Sequence, residues 1–112
     1  MKALLLAILA ASSMLVAAQA NAADAKAAEA LAQKSGCLAC HSIDKAGMGP
    51  AYKEVAEKYK GDKTAETKLI AKVKAGGGGG VWKQKPLMTA MPPNSHVKDD
   101  DIKTIVQWIL TL

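Results

Sequence analysis

The clearest rhythm in the chain is near its end. Ile102, Ile105, Val106, Ile109 and Leu110 recur at i, i+3, i+4, i+7 and i+8, which lines one face of an α-helix. Asp99, Asp100 and Asp101 precede them and favour the positive end of such a helix, so a helix is expected from about Asp99 to Leu110. Trp108 adds area beside that stripe and is expected to pack on the first helix. Three weaker patterns come earlier. Alanines and Leu31 form a stripe over Asp24 to Lys34, with Gly36 as the stop and, once the leader described below is cleaved, Asp24 as the N-cap. After Pro50, which suits a first helical turn, Tyr52, Val55, Ala56 and Tyr59 share a face until Gly61. Leu69, Ile70 and Val73 mark a helix from about Thr64 to Lys74, capped by Asp62 or Thr64 and closed by Gly76. No stretch alternates as a strand does, and no internal repeat or coiled-coil heptad is present.

The first residues follow a different rule. Lys2 is followed by the apolar run Ala3 to Ala18 and then Ala20-Asn21-Ala22, an export signal with a small-residue cleavage site. Residues 1–22 are therefore expected to be a cleaved signal peptide and residues 23–112 one small domain. The run is short of the roughly 20 apolar residues of a spanning helix and is interrupted by Ser12 and Ser13, which argues against an uncleaved anchor. Export from a bacterial cell places the mature chain in the periplasm, with no stable membrane insertion.

All 15 basic residues are lysines, against 10 acidic ones, for a net charge of +5. Without arginine forks this is a poor match to bases or phosphates, which excludes nucleic acid and suits weak steering towards acidic partners. Trp82, Trp108, Tyr52 and Tyr59 are the only aromatics. A small domain with so few bulky side chains leaves room in its core for a flat apolar cofactor.

Cys37-Leu38-Ala39-Cys40-His41 supplies the reason for that room. C-x-x-C-H is the attachment signature of a c-type haem, and positions i, i+3 and i+4 of a helical turn face one side. Cys37 and Cys40 would hold the porphyrin edge while His41 approaches the iron. A thioredoxin-like pair would need a βαβ context that is absent. A structural zinc would have only Cys37, Cys40, His41 and His96, of which the adjacent Cys40 and His41 make poor tetrahedral partners. A loop carbonyl in Gly49-Pro50 can accept the His41 Nδ1 hydrogen and strengthen the imidazole as a donor. Pro50 can equally be no more than a helix start.

Met91-Pro92-Pro93-Asn94 is the second landmark. A thioether on a loop stiffened by two prolines would close the other side of the iron and raise its potential. Met88 is the rival ligand, and His96 reads as a surface histidine. The run Gly76 to Gly80 gives unusual backbone freedom without a preceding strand or G-K-[ST], so it is not a phosphate loop. Trp82 can donate to a haem propionate or simply pack in the core.

Cys37-Leu38-Ala39-Cys40-His41, Gly49-Pro50-Ala51-Tyr52-Lys53, Gly80-Val81-Trp82, Met91-Pro92-Pro93-Asn94 and Trp108-Ile109-Leu110 together resemble the short monohaem class I cytochromes c of bacteria, the c-551/c-552 type. The resemblance runs in order through residues 23–112. It implies an all-α fold of four to five short helices wrapped around one covalently attached haem c and its iron. It implies His41 and Met91 as axial ligands, the Pro50 carbonyl as the partner of His41, Trp82 near a propionate and Asn94 as a donor near the Met91 sulfur. The implied function is one-electron transfer by a monomer, not an enzyme, between a donor and a terminal reductase or oxidase of a respiratory chain, denitrifying chains included. The alternative is an open iron that senses a gas or reduces peroxide, for which His96 is the only candidate acid-base group. The segment Lys83 to Ala90 is longer than in that family, and the glycine run is more uniform.

Overall fold

The computed structural model describes the backbone of residues 13–85 and 90–112 and the side chains from Asp24 onward, so Met88 and most of the expected signal peptide lie outside the described residues. Four α-helices follow in order: α1 (Ser13–Lys34), α2 (Tyr52–Lys58), α3 (Ala65–Ala75) and α4 (Asp99–Ile109). A 3-10 turn, Cys37–Ala39, lies between α1 and α2. Among the described residues there is no strand, only an isolated antiparallel bridge between Gly77 and Met91. None of the described helices is long and apolar enough to cross a membrane.

In the full-length chain α1 is described from Ser13 and runs unbroken through Asp24, the residue expected to cap the helix once residues 1–22 are removed. Residues 13–23 hold no Gly or Pro, so nothing interrupts the helix ahead of Asp24. At its other end Gly36 adopts φ +84°, a left-handed conformation that suits glycine and turns the chain into Cys37. The Ser35 N–H donates to the Leu31 carbonyl at 2.9 Å and the Gly36 N–H to Gln33 at 3.1 Å, which satisfies two of the carbonyls in the last turn.

Helix α4 is the centre of the packing and touches α1, α2 and α3. Ile102, Ile105, Val106, Trp108 and Ile109 are all buried, as their spacing requires. Burying each large aliphatic side chain is worth about 1.5–3 kcal/mol, before the ordering entropy of the chain is set against it. Opposite them, Ala28 and Ala32 of α1 are 1% and 0% exposed. These small side chains let the two helix surfaces meet closely. Tyr52 and Val55 of α2 complete the same core cluster.

Helix α3 is entered through Asp62, whose Oδ1 accepts the Thr64 N–H at 2.8 Å and the Thr64 hydroxyl at 2.6 Å. It is tied to α4 by Lys74 on Asp99 at 2.8 Å and by the Gln107 amide donating to Glu66 at 3.1 Å. Packing α4 against α1 fixes the place where α1 ends, and the cysteines begin three residues later.

Candidate functional site

The turn after Gly36 carries the two thiols and the imidazole. The Cys40 and His41 N–H groups both donate to the Cys37 carbonyl, at 3.3 and 3.1 Å, so the three residues are wound on one short turn. Cys37 and Cys40 are free thiols, each half-buried. Burial pushes the Cys37 thiol up, opposed by a hydrogen bond with the Tyr52 phenol, and burial likewise raises Tyr52 above the ordinary tyrosine value. The Cys40 thiol faces the Met48 sulfur at 3.8 Å, and Met48 is 47% exposed.

His41 is held on three sides. Its Nδ1 lies 2.7 Å from the Pro50 carbonyl, which can only accept, so Nδ1 carries the hydrogen and Nε2 keeps a free lone pair. Gly49 lies against the ring so closely that a Cβ there would be 2.4 Å from Cε1. Tyr52 stacks on the ring with centroids 5.0 Å apart and planes at 20°. The Tyr52 N–H donates to the Ser42 carbonyl at 2.9 Å and the Lys53 N–H to Ile43 at 3.0 Å, fastening the start of α2 to the residues after His41. Tyr52 in turn meets Trp108 edge-on at 5.7 Å.

Met91 lies in a second cluster. Its carbonyl accepts the Gly77 N–H at 2.7 Å, and its N–H donates to the Gly77 carbonyl at 3.3 Å. Gly76, at φ +70°, has no space for a side chain, since a Cβ would lie 2.5 Å from the Met91 carbonyl oxygen. The Asn94 amide donates to the Val73 carbonyl at 2.9 Å and to Pro92 at 3.1 Å, and its N–H donates to Lys74 at 3.2 Å. In this structure Asn94 thus caps the exposed carbonyls at the end of α3 and pins the Met-Pro-Pro loop there.

Trp82 is half-buried at the edge of the core, with Nε1 3.4 Å from the Gly79 carbonyl and the Lys58 ammonium 4.2 Å from its ring centroid. His96 is exposed. Among the described residues no group of three His, Cys, Asp or Glu converges to hold a bare metal ion.

Three contributors went unread in the sequence. Gly49 stands next to Pro50, but its contact with His41 exists only in three dimensions. Tyr52 has the spacing of a helix-face residue, and its place two residues after Pro50 is the signal for its second role. Glu54 is buried on α2 at 9% exposure, although its neighbours Lys53 and Glu57 face solvent.

Two thiols on one turn, with an imidazole fixed in the Nε2-available tautomer beside them, are a donor set that fits a covalently attached haem iron. Comparison with known proteins points the same way. Residues 25–112 match the family described as Cytochrome c. Cytochrome c-551 of Allochromatium vinosum is 58% identical over 82 residues, covering 73% of this chain and 82% of that protein. Cytochrome c-552 of Nitrosomonas europaea is 46% identical over 112 residues, 100% of this chain and 99% of the relative. The crystal structure of wild-type Nitrosomonas europaea cytochrome c552 superposes with a TM-score of 0.65 at 44% identity, covering 75% of this chain and 98% of that one.

Proposed function

The chain belongs to the cytochrome c family of electron carriers with one covalently attached haem c, and from that premise we propose that it is a periplasmic one-electron carrier with His41 and Met91 as axial ligands. The observation that carries this reading is the 2.7 Å contact between His41 Nδ1 and the Pro50 carbonyl, which leaves Nε2 for the iron. Bound there, haem supplies an Fe(III)/Fe(II) couple. Cys37 and Cys40 would hold the porphyrin edge. The Pro50 carbonyl, Gly49 and Tyr52 keep the imidazole in one orientation, so that it does not reorganise when charge changes. On the other side, Pro92, Pro93 and the Gly77 bridge stiffen the thioether loop.

Electrons would pass at the exposed edge beside Cys40, where Met48 offers an apolar contact and surface lysines give weak steering towards acidic patches of a respiratory donor and acceptor. Export rests on the leader pattern of residues 1–22, and a monomer on the small domain of residues 23–112. Because both sides of the iron would be filled by protein, the chain would carry electrons without turning over a substrate.

The visible spectrum of the exported protein tests this. Ferric protein is expected to show the weak far-red band of methionine sulfur on iron, lost in Met91→Ala and kept in Met88→Ala. A band that survives Met91→Ala, or is absent from the wild type, overturns the assignment of Met91.

A further inference from the structure

Glu54 is the one charged side chain buried among the described residues, and electron transfer as described gives it no part. Its carboxylate lies under the first peptides after Trp82. Oε1 accepts the Lys83 N–H, while the Gln84 N–H lies 3.3 Å from Oε2 and 3.4 Å from Oε1. Hydrogen bonds to a carboxylate are stronger than neutral ones, and breaking them in a buried place leaves a charge unsatisfied. These two peptides begin the segment that ends in Met91. Its far end is fixed by the Gly77 bridge and by Asn94 on Val73. Glu54 itself belongs to α2, which starts two residues after the carbonyl that orients His41.

We propose that Glu54 is a positioning residue for the sulfur-bearing loop: by holding the Lys83 and Gln84 peptides it fixes the start of the segment and limits how often Met91 leaves the iron. This rests on the His41/Met91 reading above. The side chain of Lys83 is tied separately, to Glu57 at 2.6 Å, but both partners are largely exposed and such a pair contributes little. Glu57 therefore provides an internal control on the same loop.

The test uses the haem-loaded protein in wild-type, Glu54→Gln and Glu57→Gln forms, with two readouts. One is amide hydrogen exchange at Lys83 and Gln84, and the other is the rate at which added imidazole displaces the methionine. Glu54→Gln is expected to raise both by about tenfold or more, the size of a lost charged hydrogen bond. The His41 Nδ1–H resonance should not move, and Glu57→Gln should stay within about twofold of wild type, as an exposed pair predicts. Changes within twofold for Glu54→Gln, or an equal effect of Glu57→Gln, overturn the proposal. If Glu54→Gln does not load haem, Glu54→Asp keeps the charge with a shorter reach and should show intermediate rates. Wild-type rates in that variant overturn the proposal as well. A wild type without methionine on iron refutes the ligand assignment, whereas amide exchange still decides whether Glu54 holds the loop.

Discussion

Replacing Gly49 with alanine should loosen the grip on His41 more than its single added methyl suggests. The new Cβ would stand 2.4 Å from Cε1 and 2.9 Å from both ring nitrogens, where ordinary contacts lie at 3.4–4 Å. The ring must then retreat by about 1 Å, because the neighbours leave no slack in a packed interior. Overpacking of this kind costs about 1–3 kcal/mol. Retreat also strains the 2.7 Å bond to Pro50, worth about 0.5–1.5 kcal/mol. Together these give about 2–4 kcal/mol, or a fall of roughly 8–30 °C in Tm for a domain of this size. Gly49 has an ordinary φ, so none of this comes from backbone strain. Gly36→Ala is the complementary control, with open space around its Cβ but φ at +84°. It should cost about 1–2 kcal/mol through the backbone alone. Thermal unfolding followed by circular dichroism gives the magnitudes, and the nuclear magnetic resonance signal of the His41 Nδ1–H gives the location. A Gly49→Ala protein within about 1 kcal/mol of wild type, with that signal unmoved, would refute the steric argument.

Two further changes probe the scaffold. Hydrogen bonds from the Thr64 hydroxyl and N–H, then Lys68, hold the Asp62 carboxyl down at about 2. Its contribution to stability is therefore present above about pH 4, the ordinary value, and lost as pH falls through 2. Asp62→Asn should flatten the acid limb of the stability profile over that window, and an unchanged limb would deny Asp62 any role in it. Ala32→Val places a branched side chain where α1 meets α4 at 0% exposure and should cost about 1–3 kcal/mol in a urea titration. An unchanged midpoint would show that the two helices have room to spare.

Much of the scaffold was legible because single elements carry their own pattern. The stripe of α4 declared both its boundaries and its buried face, and the Asp62-Thr64 pair announced the start of α3. That α1 runs unbroken through Asp24 in the full-length chain was not legible, since an alanine-rich stretch has no local signal for a break. In the candidate site, the gathering of Cys37, Cys40 and His41 on one turn could be read from spacing. Contacts between segments could not. Nothing local distinguishes Glu54, whose partners are 29 and 30 residues away, from the solvated Glu57 on the same helix. Likewise the direction of the Asn94 amide depends on where α3 ends, which its own loop does not encode.

Tyr52 joins regions that the chain order keeps apart. Its face lies on His41 and its edge meets Trp108, which shares a cluster with Ala28 and Ala32. Fluctuations that part the first and last helices must therefore disturb the floor beneath the imidazole, and whatever anchors the imidazole resists fraying at both ends of the domain. Opening near His41 and opening of the terminal helices should belong to one cooperative unit, the slowest to exchange its amides.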